Sequence, residues 1–177
     1  MNVVDPAQPA EHRLPDLLRP RLKLVLVGTA ASRVSALRGA YYANSGNRFW
    51  RTLHEVGLTP RLFAPDEWPK LANLGIGLTD LSKTGAGMDH EIDPESFDIA
   101  GFNAKIAAAR PKAVAFTSKR GASLWSGRPT GDLTLGLQPG FVDPAVFVLC
   151  SPSGRAGTYW QIEPWQALAD WARETPA

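Results

Sequence analysis

The stretch that decides the fold is residues 22–28, which read Leu-Lys-Leu-Val-Leu-Val-Gly. Aliphatic and β-branched side chains follow one another almost without interruption and stop at a glycine. A run this short and this apolar is typical of a parallel strand that is buried on both faces of a sheet. We therefore predict that residues 22–28 form a central strand.

Three further stretches have the same character, at 75–80, 112–117 and 145–150. The apolar spacing predicts helices between or after them, at 47–56, 94–110, 118–126 and 164–173. Strands that alternate with helices indicate βαβ units, and hence helices on both faces of the sheet. The sequence thus predicts an α/β protein, a three-layer α/β/α sandwich around a mainly parallel four-stranded sheet. Residues 133–137 are a candidate for a short edge strand.

Two parts are expected along the 177 residues. Residues 1–20 are polar and broken by prolines, so they are predicted to be an N-terminal tail with a short helix through Leu14, Leu17 and Leu18. Residues 21–177 are predicted to form a single domain, because a chain of this length can bury one hydrophobic core.

Composition argues against several classes of protein. Hydrophobic residues make up 44% and charged residues 20% of the chain, which is ordinary for a globular domain. The single cysteine, Cys150, excludes an internal disulfide and an iron–sulfur cluster held by cysteines alone. The three histidines lack metal-ligand spacing, so neither a metal nor another cofactor is expected. No apolar stretch is long enough to cross a membrane and no export signal is visible, so we expect a monomeric, cytoplasmic protein without a membrane partner.

Four loops follow the carboxyl ends of the predicted strands, at 28–46, 79–89, 117–121 and 150–158. The first is expected to be irregular throughout. Ligands bind at this edge of open α/β sheets, so the loops mark the expected site. Arginines and lysines are concentrated in or just after these loops. The net charge of +2 is small, but basic loops that converge on one face could grip a nucleic acid; scattered surface cations are the alternative.

Aromatic and carboxylate side chains in these loops point to a planar ligand. The pair Tyr41-Tyr42 follows the first strand, and Ser-Pro-Ser-Gly-Arg at 151–155 follows the last one. Asp80 and Asp89 flank a glycine-rich loop. Rings that stack, together with polar loops that bond to a ring edge, suit a heterocyclic base. The alternative is that the two tyrosines only anchor their loop.

Four segments, taken in chain order, resemble the uracil-DNA glycosylase superfamily. They read Leu-Val-Leu-Val-Gly at 24–28, Tyr-Ala-Asn-Ser-Gly-Asn-Arg-Phe-Trp at 42–50, Gly-Ile-Gly-Leu-Thr-Asp at 75–80 and Ser-Pro-Ser-Gly at 151–154. The pattern is most similar to the mismatch-specific uracil and thymine-DNA glycosylases. The resemblance implies a DNA repair enzyme that flips a deaminated base, first of all uracil, out of DNA and hydrolyses its N-glycosidic bond.

The resemblance also implies roles for individual residues. Tyr42 corresponds to the aromatic residue on which the flipped base stacks. The predicted base-binding set is completed by Gly28, Thr29, Ala30, Phe49, Asp80 and Ser151. The predicted DNA-binding set consists of Lys83, Lys119, Arg120, Ser151, Pro152, Ser153, Gly154 and Arg155.

The first motif departs from the family pattern at the position that handles water. Ala30 stands where the family has asparagine or aspartate, and a methyl group cannot orient or activate a water molecule. We therefore predict that this catalytic role falls first to Asp80, then to Asp89, with Asn47 as a further candidate. The structural alternatives are an Asx turn at Asp80, a loop carboxylate at Asp89 and a helix cap at Asn47.

Two other functions are compatible with the sequence. A catalytically weak or inactive protein of the same fold that binds damaged DNA would also have lost the water-handling residue. An α/β protein that binds free nucleotides, without a role on DNA, is the third interpretation.

Overall fold

The computed structural model describes residues 13–176. The strands are β1 Leu24–Gly28, β2 Ile76–Asp80, β3 Ala113–Phe116, β4 Gly136–Val142 and β5 Ala145–Val148. The helices are α1 Arg33–Arg38, α2 Phe49–Glu55, α3 Ile99–Ala109, α4 Lys119–Ser126 and α5 Glu163–Glu174, with short 3-10 helices between them. Within the described range no helix has the length and apolarity needed to cross a membrane.

All five strands belong to one sheet with the order β2-β1-β3-β5-β4, in which β4 alone runs antiparallel to its neighbour. Every residue of β1, β2, β3 and β5 is buried. Alternate side chains of β1 enter different cores, because Leu24 and Leu26 pack with α2 and α5 while Val25 and Val27 pack with α3 and α4. The predicted three-layer α/β/α sandwich is therefore confirmed.

The sheet has five strands where four were predicted. The fifth, β4, begins at the end of the candidate edge segment 133–137 and continues to Val142. Most of its side chains are exposed or half-buried, and it contains two glycines and Pro139. An edge strand of this kind lacks the continuous apolar run that identifies the central strands.

The predicted helix through Leu14, Leu17 and Leu18 is wrong. The chain is extended here, and Leu17 and Leu78 exchange backbone hydrogen bonds of 2.9 and 3.0 Å. Leu14 and Leu17 are buried in the core beneath α2 and α5. Residues 13–17 thus cover part of the open edge of β2. The rest of the predicted tail, residues 1–12, lies outside the described residues, as does residue 177.

The connection 29–46 is not irregular throughout, because it contains α1. The Ser32 hydroxyl accepts a hydrogen bond from the Ser35 N–H and starts this helix, and Gly39 ends it with a φ of 68°. The helix predicted at 94–110 is shorter than expected, since Asp98 caps Gly101 and α3 begins only at Ile99.

Gly77 lies where the N-terminal segment crosses β2. A methyl group on its α-carbon would lie 2.6 Å from the Leu17 carbonyl oxygen and 2.6 Å from Leu22 Cδ1. We expect Gly77→Ala to lower the free energy of unfolding by about 1–3 kcal/mol, because side-chain rotation cannot relieve a clash with a main-chain oxygen. Urea unfolding measures the change.

Gly131→Ala is the matched control, since nothing lies within 4 Å of its added methyl group. Equal unfolding midpoints for the two variants would contradict the packing of residues 13–17 against β2.

Candidate active site

A cleft of about 850 Å³ lies at the carboxyl ends of the parallel strands. The first two strands end in register, with Gly28 at the end of β1 opposite Asp80 at the end of β2. Lining residues come from all four predicted loops, within 28–35, 41–47, 87–91, 117–118 and 151–156. The loops therefore meet at the edge of the sheet where α/β proteins bind ligands.

Asp80 places a buried carboxylate in this cleft. The residue is only 4% exposed, and a side chain at position 28 would overlap its Oδ1. Burial raises the pKa of Asp80 to about 6, because an ionised carboxylate is poorly solvated there. Lys83 and Lys105 act in the opposite direction on this pKa, and Asp16 adds to the rise. The cleft thus contains an acid that titrates just below neutral pH.

A partly buried charge cluster, formed by Asp16, Lys83 and Lys105, lies within electrostatic range of Asp80. The Asp16 carboxylate is 2.9 Å from Lys83 Nζ and 2.8 Å from Lys105 Nζ, and it accepts a hydrogen bond of 2.7 Å from Thr79. Burial opposes ionisation of Asp16, but the two lysines and Thr79 outweigh it and lower the pKa of Asp16. Two cations and one anion leave this cluster with a net positive charge.

The prediction that Lys83 contacts DNA is wrong. Its side chain is only 9% exposed, pairs with Asp16 and donates a hydrogen bond of 3.0 Å to the Tyr41 hydroxyl. An ammonium group that is buried and paired in this way cannot reach a phosphate outside the protein. Its charge acts on Asp80 instead.

Tyr42 forms an aromatic wall of the cleft. Its ring stacks on Phe49, with centroids 3.8 Å apart and an angle of 14° between the planes. Phe49 is fully buried and does not line the cleft, so its predicted contact with the base is wrong and it supports the Tyr42 ring instead. Tyr42 also has a φ of 51°, a strained conformation that is typical of functional positions.

The other predicted base-binding residues line the cleft: Gly28, Thr29, Ala30, Asp80 and Ser151. In the part of the chain that the structure describes, no three histidine, cysteine or carboxylate side chains are grouped so that they could hold a metal ion.

The other two predicted catalytic residues have hydrogen-bond partners of their own. Asp89 is exposed, and its carboxylate accepts a hydrogen bond of 2.8 Å from the Thr29 hydroxyl. The Asn47 side-chain oxygen accepts a hydrogen bond of 2.9 Å from the Phe49 N–H at the start of α2. Asn47 therefore forms a turn immediately before α2, whose N-cap is Arg48, so its side chain has a structural role close to the predicted cap.

Arg48 fixes the Ser-Pro-Ser-Gly loop beside the segment that contains Tyr42. Its backbone N–H donates to the Pro152 carbonyl at 2.7 Å, and its guanidinium donates to the Ser153 carbonyl at 3.2 Å. A methyl group at Gly154 would lie 2.9 Å from the carbonyl oxygen of Gly46. Two backbones therefore touch here, which explains the glycine in the loop.

Five of the predicted DNA-binding residues line the cleft, and two others directly follow a residue that lines it. Residues 151–155 line it along their whole length, and Arg155 is exposed. Lys119 and Arg120 form the first turn of α4, immediately after Ser118, which lines the cleft. Lys119 is half-buried and Arg120 is exposed, and neither lines the cleft itself.

Sequence reasoning missed three residues of the site, namely Asp16, Arg48 and Thr117. Asp16 lies within the short N-terminal helix predicted through Leu14, Leu17 and Leu18, and that prediction does not indicate its pairing with distant lysines. Arg48 stood in a quoted motif without a stated role. Thr117, whose Oγ1 lies 3.1 Å from the Tyr42 hydroxyl, was signalled by its place directly after the apolar run of β3.

Comparison with known proteins agrees with this fold. The model of the uracil DNA glycosylase superfamily matches residues 15–172, which include the whole sheet and every loop of the cleft. The fold is similar to the solution NMR structure of a provisionally assigned uracil DNA glycosylase from Methanosarcina acetivorans, with a TM-score of 0.58 and 23% sequence identity. That match covers 93% of this chain and 99% of the other. By the extent of the family match, the chain belongs to the uracil DNA glycosylase superfamily.

Proposed function

We propose that this protein is a DNA glycosylase that flips a deaminated base, first of all uracil, out of DNA and hydrolyses its N-glycosidic bond. Among its relatives we place it nearest the mismatch-specific uracil and thymine-DNA glycosylases. The observation that carries the proposal is the meeting of the Tyr42 side chain and the buried Asp80 carboxylate beside Gly28 in one cleft. Membership of the superfamily supports the glycosylase role.

The Tyr42 ring supplies the surface on which the base stacks. Because the Tyr42 ring is already stacked on Phe49, it loses little conformational entropy when a base binds. Stacking of a base on an aromatic side chain contributes roughly 1–3 kcal/mol. Flipping a base costs a few kcal/mol and least when the base is mispaired, so stacking offsets much of this cost.

Cleavage of the N-glycosidic bond places positive charge on the sugar and negative charge on the departing base, as in glycoside hydrolysis generally. Ser151 is a donor for the base, because its Oγ accepts a 3.3 Å hydrogen bond from the Ser153 N–H and its own O–H is left to donate into the cleft. A donor aimed at developing negative charge is worth roughly 3 kcal/mol. Ser151 thereby stabilises the leaving group.

Asp80 takes the role that Ala30 cannot fill. With a pKa of about 6, most Asp80 side chains are ionised at neutral pH and still basic enough to accept a proton from water. The carboxylate lies beside Gly28. By resemblance to the superfamily, Gly28 begins the motif that borders the scissile bond. We assign to Asp80 the positioning of the attacking water.

A second candidate function, binding of damaged DNA without cleavage, is favoured by Ala30. Alkali treatment after incubation with a uracil-containing oligonucleotide separates the two. Strand breaks at uracil support the glycosylase, whereas binding without breaks supports the second candidate. The same assay with hypoxanthine, xanthine or mismatched thymine ranks the bases.

Asp80→Asn is expected to lower the single-turnover rate of uracil excision by about 100-fold or more, because an amide cannot accept the proton of the attacking water. The dissociation constant for the DNA should change little, since the amide has the same shape. Quenched-flow excision and fluorescence anisotropy measure the two quantities. An unchanged single-turnover rate would exclude Asp80 as the water-positioning group.

Lys105→Met is expected to move the acidic limb of the pH–rate profile to higher pH. Lys105 lowers the pKa of Asp80, so its loss raises the pH at which the carboxylate becomes ionised and active. Single-turnover rates between about pH 4.5 and 8 measure this limb. Lys105→Arg keeps the charge and is the matched control. If the acidic limb lies at the same pH in the Lys105→Met and Lys105→Arg variants, the electrostatic coupling between Lys105 and Asp80 is contradicted.

Arg155→Ala is expected to weaken DNA binding and to reduce the slope of log Kd against log salt by about one, the effect of losing one phosphate contact. Arg19→Ala is the control, because Arg19 is exposed just ahead of β1, away from the lining of the cleft. If both variants keep the wild-type slope, Arg155 lies outside the interface.

A further inference from the structure

The hydroxyl group of Tyr42 is hydrogen-bonded to Thr117. Its oxygen lies 3.1 Å from Thr117 Oγ1, which in turn lies 3.1 Å from the Val27 carbonyl oxygen. Thr117 has a single hydroxyl proton, and a carbonyl oxygen can only accept. If that proton pointed to Tyr42, the Thr117 hydroxyl would lose its hydrogen bond to the Val27 carbonyl oxygen. The Thr117 hydroxyl therefore donates to Val27, and the Tyr42 hydroxyl donates to Thr117.

This relay leaves the Tyr42 oxygen as an acceptor towards the cleft. Burial raises the pKa of Tyr42 above its ordinary value, and the nearby Asp80 raises it further, so the phenol keeps its proton at neutral pH. That one proton is committed to Thr117. The lone pairs of the phenol oxygen remain free to accept a hydrogen bond.

Two acceptors therefore flank one small volume beside Gly28. The point at which a side chain of Gly28 would begin lies 3.1 Å from the Tyr42 hydroxyl oxygen, and it overlaps Asp80 Oδ1. Tyr42, Asp80 and Gly28 all line the cleft. A water molecule has two protons to donate, which matches a pair consisting of an ionised carboxylate and a phenol oxygen.

We propose that the Tyr42 hydroxyl is the second acceptor that orients the attacking water held by Asp80. This inference rests on the proposed glycosylase function and assigns to Tyr42 a role in addition to stacking. One proton of the water bonds to Asp80 and the other to Tyr42, so that a lone pair of the water faces the sugar. With both protons held, the water needs no contact from Ala30.

The step balances without a further reactant. The water oxygen forms a bond to C1′ of the sugar while the N-glycosidic bond breaks and its electron pair leaves with the base. Asp80 accepts one proton of the water. Tyr42 accepts a hydrogen bond only and keeps its own proton.

Tyr42→Phe tests the role of the oxygen, because it keeps the ring and its stacking on Phe49. We expect the single-turnover rate on a uracil-containing duplex to fall about 10- to 100-fold, while the Kd for that duplex changes less than about twofold. Tyr42→Ala should in addition weaken binding, because the stacking surface is lost. Tyr159→Phe is the matched control at an exposed tyrosine that does not line the cleft, and it should keep the wild-type rate.

Variants of Thr117 test the direction of the relay. Thr117→Ser keeps the hydroxyl, so its rate should stay well above that of Thr117→Val. Thr117→Val removes the acceptor of the phenol proton, which then turns towards the cleft, so the rate should fall although the Tyr42 oxygen is still present. Equal rates for the Ser and Val variants would overturn the assigned direction and with it the proposal.

A double-mutant cycle shows whether the two groups act on one water. Tyr42→Phe and Asp80→Asn together should slow excision clearly less than the product of their separate effects. Independent, multiplicative effects would overturn the proposal, as would a wild-type rate in Tyr42→Phe or a Kd that weakens as much as the rate. A wild-type rate in Tyr42→Phe together with a slow Asp80→Asn would leave the proposed function standing, whereas a wild-type protein that leaves uracil in place would overturn both.

Discussion

The site depends on the absence of a side chain at Gly28. Parallel pairing puts this residue opposite Asp80, so the ends of β1 and β2 arrive at the cleft side by side. A methyl group at position 28 would overlap the Asp80 carboxylate and press on the Tyr42 hydroxyl, which would be 3.1 Å away. Because Gly28 has no side chain, the Asp80 carboxylate and the Tyr42 phenol can both border the volume in which we place the attacking water.

Burial of Asp80 lowers the free energy of unfolding at neutral pH. Its pKa of about 6 exceeds the value of roughly 3.9 expected in the unfolded chain. The folded state therefore keeps a proton that the unfolded state releases, and stability falls as the pH rises from about 4 to about 6. Lys83 and Lys105 limit this cost, because their charges favour the ionised carboxylate. A buried carboxylate that lowers stability but serves catalysis is a common compromise between stability and activity.

The sequence predicted the central strands well, because a strand buried on both faces has a composition that little else shares. Pairings between distant parts of the chain were not predictable in this way. The leucine spacing at 14–18 fits a helix, yet the backbone of Leu17 forms hydrogen bonds with Leu78 on the open edge of β2. Lys83 follows a strand like a ligand-binding lysine, but its partner Asp16 comes from that same extended segment. The predicted contact of Phe49 with the base is wrong because the motif does not indicate which of the two stacked rings faces the cleft.

A crystal structure of the Asp80→Asn variant bound to a uracil-containing duplex tests the central claim most directly. We expect an everted uracil whose ring stacks on Tyr42, with the sugar C1′ beside Gly28 and a water between the residue 80 side chain and the Tyr42 hydroxyl. A uracil that stays in the helix, or one that is flipped out but rests away from Tyr42, would contradict it.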